Sequence, residues 1–393
     1  MTEAIPFYSA IALGYLLLTV PMIALLMARL LKGPQRRPPV APCPAQPHQV
    51  GAVSVIVPTL NEAERIGPCL AGLSRQTYEL REVVVVDSRS TDGTAALVET
   101  QSKTDPRFRV ITDDPLPAAW VGRPWALDYG FRHSSPRSPW VLGIDADTQP
   151  QPGLIAGLLQ IAETEGYDLI SLSPQFILRD PGEWWLQPAL LMTLLYRFDP
   201  SGSDASHPER VMANGQCFLC RRSVLAAMDG YQVARRSFCD DVTLAREIAK
   251  RGYRVGFLDG QRVIRVRMYD GMAETWREWG RSLDLKDAAT PGQVWSDCWF
   301  LLVTQGLPLV VSLLAGVAWL SGVQTLPIAI AGFVNAALVA IRWALLGAIA
   351  PSYAGKKPLW FWLSPLADLA AVTRIILSAQ QQPQVWRGRQ YDI

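Results

Sequence analysis

Residues 4–28 contain no charged side chain, and that stretch limits what the rest of the chain can be. As a helix it is long enough to cross the hydrocarbon core of a bilayer. Glu3 precedes it with no lysine or arginine, whereas Arg29, Lys32, Arg36 and Arg37 follow it. A cleaved signal peptide carries the opposite charge order. The expectation is therefore an uncleaved anchor with its N-terminus outside and the following chain in the cytosol. Residues 298–341 are also uncharged and can hold two spans joined near residues 321–324. Lys356 and Lys357 then fall inside. A last apolar stretch, about 359–378, opens with Trp360 and Trp362 and contains Asp368 and Arg374; it either spans or lies re-entrant. Charge at that depth is costly, so Asp368 is expected to pair with Arg342, the alternative being arginines that snorkel to the interface.

Composition agrees with a bilayer. Of 393 residues, 49% are hydrophobic and 18% charged, low in charge for a soluble domain. The 37 Lys+Arg against 35 Asp+Glu leave a net charge of +2, which supplies no long-range field for nucleic acid. Cys43, Cys69, Cys217, Cys220, Cys239 and Cys298 are scattered and read as reduced thiols. Cys217-x-x-Cys220 has no second CxxC and no suitably spaced histidine, so packing cysteines are expected there rather than a zinc or redox pair. Six prolines between residues 33 and 50 mark a stiff linker. The organisation read from this is an anchor (1–32), a linker (33–50), a soluble domain (51–297), a membrane region of two to three helices (298–380) and a tail (381–393).

Within the soluble domain, Val53–Val57 is a β-branched run ended by Pro58. Asn61-Glu62-Ala63-Glu64-Arg65 reads as a helix start, with an Asn cap and acids in the first turn. Further strands are expected at residues 82–87, 108–111, 140–144 and 169–172, with a helix over 95–101. Alternating strands and helices imply an α/β domain with a parallel sheet, whose ligands lie beyond the carboxyl ends of the strands. Glu62, Asp87, Asp145 and Asp147 all follow such ends. No Gly-rich phosphate loop follows the first strand, which argues against a dinucleotide oxidoreductase or a P-loop enzyme.

Four acids at one sheet edge suit a nucleotide-sugar donor. A diphosphate leaving group gains negative charge as the sugar bond breaks, and carboxylate oxygens can hold Mg²⁺ or Mn²⁺ against it. Asp145-x-Asp147 would place two carboxylates on one strand face. Sugar transfer with inversion also needs a general base. Asp240-Asp241, at the head of a helical run over 242–250, supplies two candidates, one to cap or orient and one to take the proton.

At these residues the chain resembles the family 2 inverting glycosyltransferases of GT-A fold, a Rossmann-like nucleotide-sugar-binding domain, here set between transmembrane helices. The resemblance covers about residues 53–282. Val55-Ile56-Val57-Pro58-Thr59-Leu60-Asn61-Glu62 and the Val85–Thr94 segment are similar to the two nucleotide motifs. They imply that Pro58, Glu62 and Asp87 hold the nucleoside. Gly122-Arg123-Pro124-Trp125-Ala126-Leu127 resembles a G-K-P-x-A-L segment near the donor, with Arg123 in place of lysine. The resemblance also implies that Asp145 and Asp147 hold the metal, that Gly215 and Gln216 of Asn214-Gly215-Gln216 meet sugar or acceptor, and that Asp241, with Asp240 beside it, is the base. The Q/R-x-x-R-W motif of processive synthases is missing. Glu274–Ser282 resembles more the bacterial carotenoid- and hopanoid-type enzymes, which transfer single sugars to lipids. On this helix Trp276 and Trp279 suit a membrane interface, and Arg277 or Arg281 suits a diphosphate. Trp279 and Arg281 are therefore expected in the donor and acceptor pocket. A second aromatic-tipped segment, residues 183–196, is too short to span and reads as a core helix or an in-plane helix.

The expected reaction moves one sugar from a UDP- or GDP-type donor to a lipid hydroxyl, with a carotenoid favoured over a hopanoid, glycerolipid or sphingolipid. The expected place is a bacterial inner or internal membrane, with the catalytic domain cytosolic. A processive polysaccharide synthase and a non-catalytic membrane scaffold are the competing readings.

Overall fold

The computed structural model describes residues 4–113, 115–205, 207–279, 283, 285–381, 385–386 and 389–390. The chain divides into two compact units. One comprises Met1–Pro34, Leu178–Pro200 and Tyr269–Gln382; the other comprises Gln35–Ile177, Ser201–Met268 and Pro383–Ile393.

The second unit is built on a seven-stranded sheet. Its strands are β1 (Val53–Thr59), β2 (Leu80–Asp87), β3 (Phe108–Thr112), β4 (Trp140–Ile144), β6 (Leu169–Ser173), β8 (Cys217–Arg221) and β9 (Val255–Asp259), in the order β3-β2-β1-β4-β8-β6-β9. The short strands β5 (Thr148–Pro150), β7 (Gln175–Phe176) and β10 (Ile264–Val266) form a second sheet in the order β5-β10-β7. The helices are α2 (Gly67–Ser74), α3 (Thr94–Thr104), α4 (Gly122–His133), α5 (Leu154–Glu165), α7 (Arg222–Ala227) and α8 (Asp240–Lys250). Val53, Val55, Ile56, Val57 and Val83 to Val86 have no exposed surface. Each such side chain contributes roughly 1.5–3 kcal/mol on burial, which is why runs rich in β-branched residues form the sheet centre.

Three features differ from the sequence expectation. The sheet is mixed: β1 pairs in parallel with β2 and β4, but β8 runs antiparallel to both β4 and β6. Nothing in the local pattern of Cys217–Arg221 sets its direction, because the partners lie far off in sequence. Strand β1 continues past Pro58 to Thr59. Its pairing with β4 ends at Ile56, so a residue without an N–H interrupts no ladder on that side. Residues 61–66 form a turn, and the helix begins at Gly67. Asn61 takes a left-handed conformation (φ 54°), which ends the extended chain without starting a helix.

The proline-rich segment packs onto this unit. Val40 N–H donates to the Asp259 carbonyl at 2.8 Å, and Val40 is buried in the core. At Gly157 of α5 an added Cβ would stand 2.6 Å from the Ala41 carbonyl oxygen, so only glycine allows that approach.

The other unit is helical. It holds α1 (Ala4–Leu30), α6 (Pro181–Arg197), α9 (Gly271–Glu274), α10 (Pro291–Leu301), α11 (Pro308–Leu320), α12 (Leu326–Ile349), α13 (Leu359–Trp362) and α14 (Asp368–Gln380). Among the described residues, Phe7–Gln35 and Leu326–Ser352 are long and apolar enough to cross a membrane. The pair Pro291–Gly306 and Pro308–Leu320, bent by 49°, makes a third candidate if it is one broken span. The bend falls at a π-helical turn, Leu302–Gly306, followed by Pro308, both established causes of kinks. The 359–378 stretch is split into α13, a 3₁₀ turn and α14, so no single helix crosses there.

Small residues and buried polar groups join these helices, as expected where apolar contact alone gives little specificity. Tyr15 Oη donates to Asn335 Oδ1 at 2.9 Å. Asp368 pairs with Arg342 as expected: Arg342 Nε lies 2.9 Å from Oδ2 and Nη2 lies 3.1 Å from Oδ1. Gln305 adds a bond to Oδ1 at 3.0 Å. Arg374 does not snorkel; its Nε donates to the Trp276 carbonyl at 2.8 Å and Nη2 to that of Arg277 at 3.1 Å. Helix α6 opens with a capping box. Asp180 accepts from Gly182 N–H, and Glu183 returns to the Asp180 N–H.

Candidate active site

Strands β1, β2 and β4 are parallel neighbours, so their carboxyl ends share one edge. Asp87 is the last residue of β2, Glu62 follows β1, and Asp145 and Asp147 follow β4. The loops after β1 and β2 are joined by hydrogen bonds. Asn61 N–H donates to Ser90 Oγ at 2.8 Å, and Asn61 Oδ1 accepts from Thr91 N–H at 2.9 Å. Glu62 N–H donates to Thr94 Oγ1 at 2.9 Å, and Ala63 N–H to Asp92 Oδ2 at 2.8 Å. These bonds take the N–H groups that a helix start would have left open. Asp87 is buried: Oδ1 accepts from Thr59 Oγ1 at 3.2 Å and Oδ2 from Ser90 N–H at 3.0 Å. Asp92, which also takes Thr94 N–H and Oγ1, is an organising residue without an expected role; the turn-forming sequence Ser90-Thr91-Asp92-Gly93-Thr94 is the signal that marks it.

Asp145 and Asp147 lie in a turn between β4 and β5 rather than on an extended strand. Thr148 Oγ1 closes the turn on the Asp145 carbonyl at 2.7 Å. The turn, not strand alternation, therefore sets the two carboxylates.

Arg123, in the first turn of α4, joins this turn to two other segments. Its Nε and Nη2 both donate to Asp145 Oδ1, at 3.0 and 2.9 Å. Nη2 also reaches the Gly215 carbonyl at 2.9 Å, and Nη1 bonds Asp240 Oδ2. Asp241 holds the same residue through the preceding peptide: its Oδ2 accepts Gly215 N–H at 2.6 Å and its Oδ1 accepts Val242 N–H at 2.8 Å. Asn214 is fixed to β6 by bonds to and from Ser171 Oγ, at 2.6 and 2.9 Å. Gln216 N–H donates to Asn214 Oδ1 at 3.0 Å. Thus Arg123, Asp145, Gly215, Asp240 and Asp241 form one hydrogen-bonded constellation. Asp240 is buried, whereas Asp241 is partly exposed.

Arg123, with Arg65 acting on Asp147, faces Asp145, Asp147, Asp240 and Asp241, which leaves excess negative charge. Burial pushes the Asp240 carboxyl up to about 7, with Arg123 opposing it. The Asp241 carboxyl is raised for the same reason. Burial and then the Asp145 charge push Asp147 up to about 8. Burial works against the Arg123 charge, but Asp145, Asp240 and Asp241 outweigh it and hold its pKa well above the ordinary range. A divalent cation fits such a site on two observations. Asp147 Oδ1 is buried with no partner among the described residues, and both Arg123 bonds to Asp145 fall on Oδ1, leaving Oδ2. Among the described residues no three His, Cys, Asp or Glu side chains cluster as a metal set. Magnesium and its analogues commonly take one or two carboxylates plus substrate phosphates and water.

The remaining expected residues separate as follows. Pro58 lies in β1. Trp279 is buried within the helical unit, at the end of a π-helical turn, Thr275–Trp279, that continues α9. Arg281 lies outside the described residues. Cys217 and Cys220 are free and buried in β8, and burial pushes both thiols up, which suits packing and not redox chemistry.

Residues 54–228 match the family model described as Glycosyl transferase family 2. The chain is 24% identical over 240 residues to a 4,4'-diaponeurosporenoate glycosyltransferase of Staphylococcus haemolyticus, an alignment covering 61% of this chain and 63% of that protein. The chain thus spans a little under two thirds of that relative's length. It is 33% identical over 116 residues to an undecaprenyl-phosphate mannosyltransferase of Micrococcus luteus, covering 28% of this chain and 44% of the relative. Among solved structures it resembles the mannosyltransferase PcManGT from Pyrobaculum calidifontis, solved in complex with GDP-Man and Mn²⁺. The TM-score is 0.55 at 22% identity, with 95% of this chain and 98% of the other covered.

Proposed function

Residues 54–228 are a family 2 glycosyltransferase domain of GT-A fold, and from this premise we propose that the chain transfers a single sugar from a nucleotide-diphosphate sugar to a hydroxyl of a membrane lipid, with inversion and with Mg²⁺ or Mn²⁺. The observation that carries the reading is the constellation in which Arg123 and the backbone of Gly215 join Asp145 to Asp240 and Asp241.

Pro58, Glu62 and Asp87, on the knitted loops after β1 and β2, hold the nucleoside. Asp145 and Asp147 hold the cation, which when bound supplies positive charge against the departing diphosphate. Asp241 accepts the proton of the acceptor hydroxyl as that oxygen bonds the anomeric carbon and the carbon–diphosphate bond breaks. Two backbone N–H groups fix the Asp241 carboxylate, so its orientation precedes substrate binding. Asp240, buried against Arg123, orients and does not take the proton. Gly215 and Gln216 border the sugar.

The lipid acceptor is supported by the two spanning helices and the bent pair and by the acceptors that the names of relatives carry. A carotenoid is the favoured acceptor, on the first of these names. The charge order around α1 supports a cytosolic catalytic domain. The test is transfer in vesicles containing the full chain, supplied with Mn²⁺ and radiolabelled GDP-mannose or UDP-glucose. Label entering the organic phase only with metal present is the expected result. Label in a water-soluble or insoluble polymer instead would replace the lipid acceptor with a polysaccharide.

A further inference from the structure

We infer that Arg123 is a positioning residue, a clamp that sets the metal-holding acid and the base in one register, and not a ligand of the donor phosphates. The inference rests on the proposed function above for the roles of Asp145 and Asp241.

The sequence resemblance places a basic residue near the donor, where a point charge would suffice. The structure shows a different use. Four of the five guanidinium N–H groups are engaged: Nε and one Nη2 proton on Asp145 Oδ1, the other Nη2 proton on the Gly215 carbonyl, and one Nη1 proton on Asp240 Oδ2. Three partners from three segments meet on one planar fork. An ammonium, with three donors on a single point, cannot span them.

The consequences run both ways from the fork. By taking Oδ1, Arg123 turns Asp145 so that Oδ2 is left for a cation. By holding the Gly215 carbonyl, it fixes the residue whose own N–H, on the preceding peptide, orients Asp241 Oδ2. The clamp also explains the glycine: an added Cβ at Gly215 would stand 2.7 Å from Arg123 Cζ. Any side chain there displaces the guanidinium.

The test compares Arg123→Lys and Gly215→Ala with the wild-type full chain in three readouts. These are Mn²⁺ affinity by electron paramagnetic resonance, GDP and UDP affinity without metal, and steady-state transfer into lipid. Groups that orient a metal ligand typically govern about 10–100-fold in metal affinity, and a small misplacement of reacting groups costs roughly 100-fold in rate. The clamp therefore requires Arg123→Lys, which keeps the charge, to lose about tenfold or more in Mn²⁺ affinity. At saturating Mn²⁺ it should also lose roughly 100-fold in kcat with the donor KM unchanged, and metal-free GDP and UDP affinity should match wild type. Gly215→Ala should do the same with Arg123 intact, and it decides the matter if Arg123→Lys shows no cooperative thermal transition. Wild-type Mn²⁺ affinity in both variants would overturn the clamp. So would weakened GDP and UDP binding with metal affinity preserved, which would make Arg123 a direct phosphate ligand. Loss of Mn²⁺ affinity in the variants, with no lipid labelled even by wild type, would support the clamp and overturn the lipid acceptor.

Discussion

Two buried arginines in this protein meet carboxylates in opposite ways. In the helical unit Arg342 meets Asp368 alone, and Gln305 completes the carboxylate's partners. In the α/β unit Arg123 faces Asp145 and Asp240, with Asp241 held on the adjoining Gly215 peptide. The first pair is balanced in charge, one guanidinium to one carboxylate, although Arg342 Nη1 and Gln305 Oε1 are buried without a partner among the described residues. The second is over-supplied with acid and keeps one buried oxygen, Asp147 Oδ1, unpartnered among the described residues. A charge left uncompensated at this depth is costly. A fold keeps such an excess where an incoming cation or proton will complete it. Balance marks a fastening; imbalance marks a place where chemistry happens.

The sharpest way to break this comparison is at Asp241. Asp241→Asn should lower transfer by about 10²–10⁴-fold, the usual weight of a general base, while nucleotide binding measured by calorimetry stays as in wild type. Near-normal turnover would remove Asp241 from the reaction. Asp147→Ala should abolish metal-dependent donor binding while leaving thermal stability intact or raised, because it removes a buried carboxylate oxygen that has no hydrogen-bond partner among the described residues. A loss of stability would place Asp147 with the fastenings. On the balanced side, Asp368→Ala leaves Arg342 buried and unpaired. It should cost about 3–5 kcal/mol of stability, read by denaturant unfolding in detergent, with turnover per folded molecule unchanged. The double change Arg342→Met with Asp368→Leu should recover most of it. If Asp368→Ala alone abolished turnover in folded protein, the division between fastening and chemistry would fail. The smallest effect is expected at Asp92, which knits the two nucleotide loops from an exposed position. Asp92→Ala should weaken GDP or UDP binding by about 1 kcal/mol, roughly fivefold.

The same contrast explains what could be read from the sequence. The Arg342–Asp368 pair was legible because two charges in apolar stretches have few other partners to choose. Strands β1, β2 and β4 were legible because β-branched runs can be buried on both sides. The acids after them were legible by position. The antiparallel direction of β8 was not, since it depends on partners some seventy and fifty residues away, in β4 and β6. The turn at Asn61 was mistaken for a helix start because Asn caps helices and also adopts left-handed turns. Its choice was made by Ser90, Thr91 and Asp92 on another loop. The engagement of Arg123 was hidden for the same reason: its partners Asp145, Gly215 and Asp240 share no local pattern with it.

The most direct test of the central claim compares lipid extracts, by mass spectrometry, from cells expressing the wild-type chain and cells expressing Asp241→Asn. One lipid should carry an added hexose or deoxyhexose in the wild type, and its bare form should accumulate with the variant. Identical lipids in both, with a polysaccharide present only in the wild type, would contradict the lipid acceptor and assign the site to polymer synthesis.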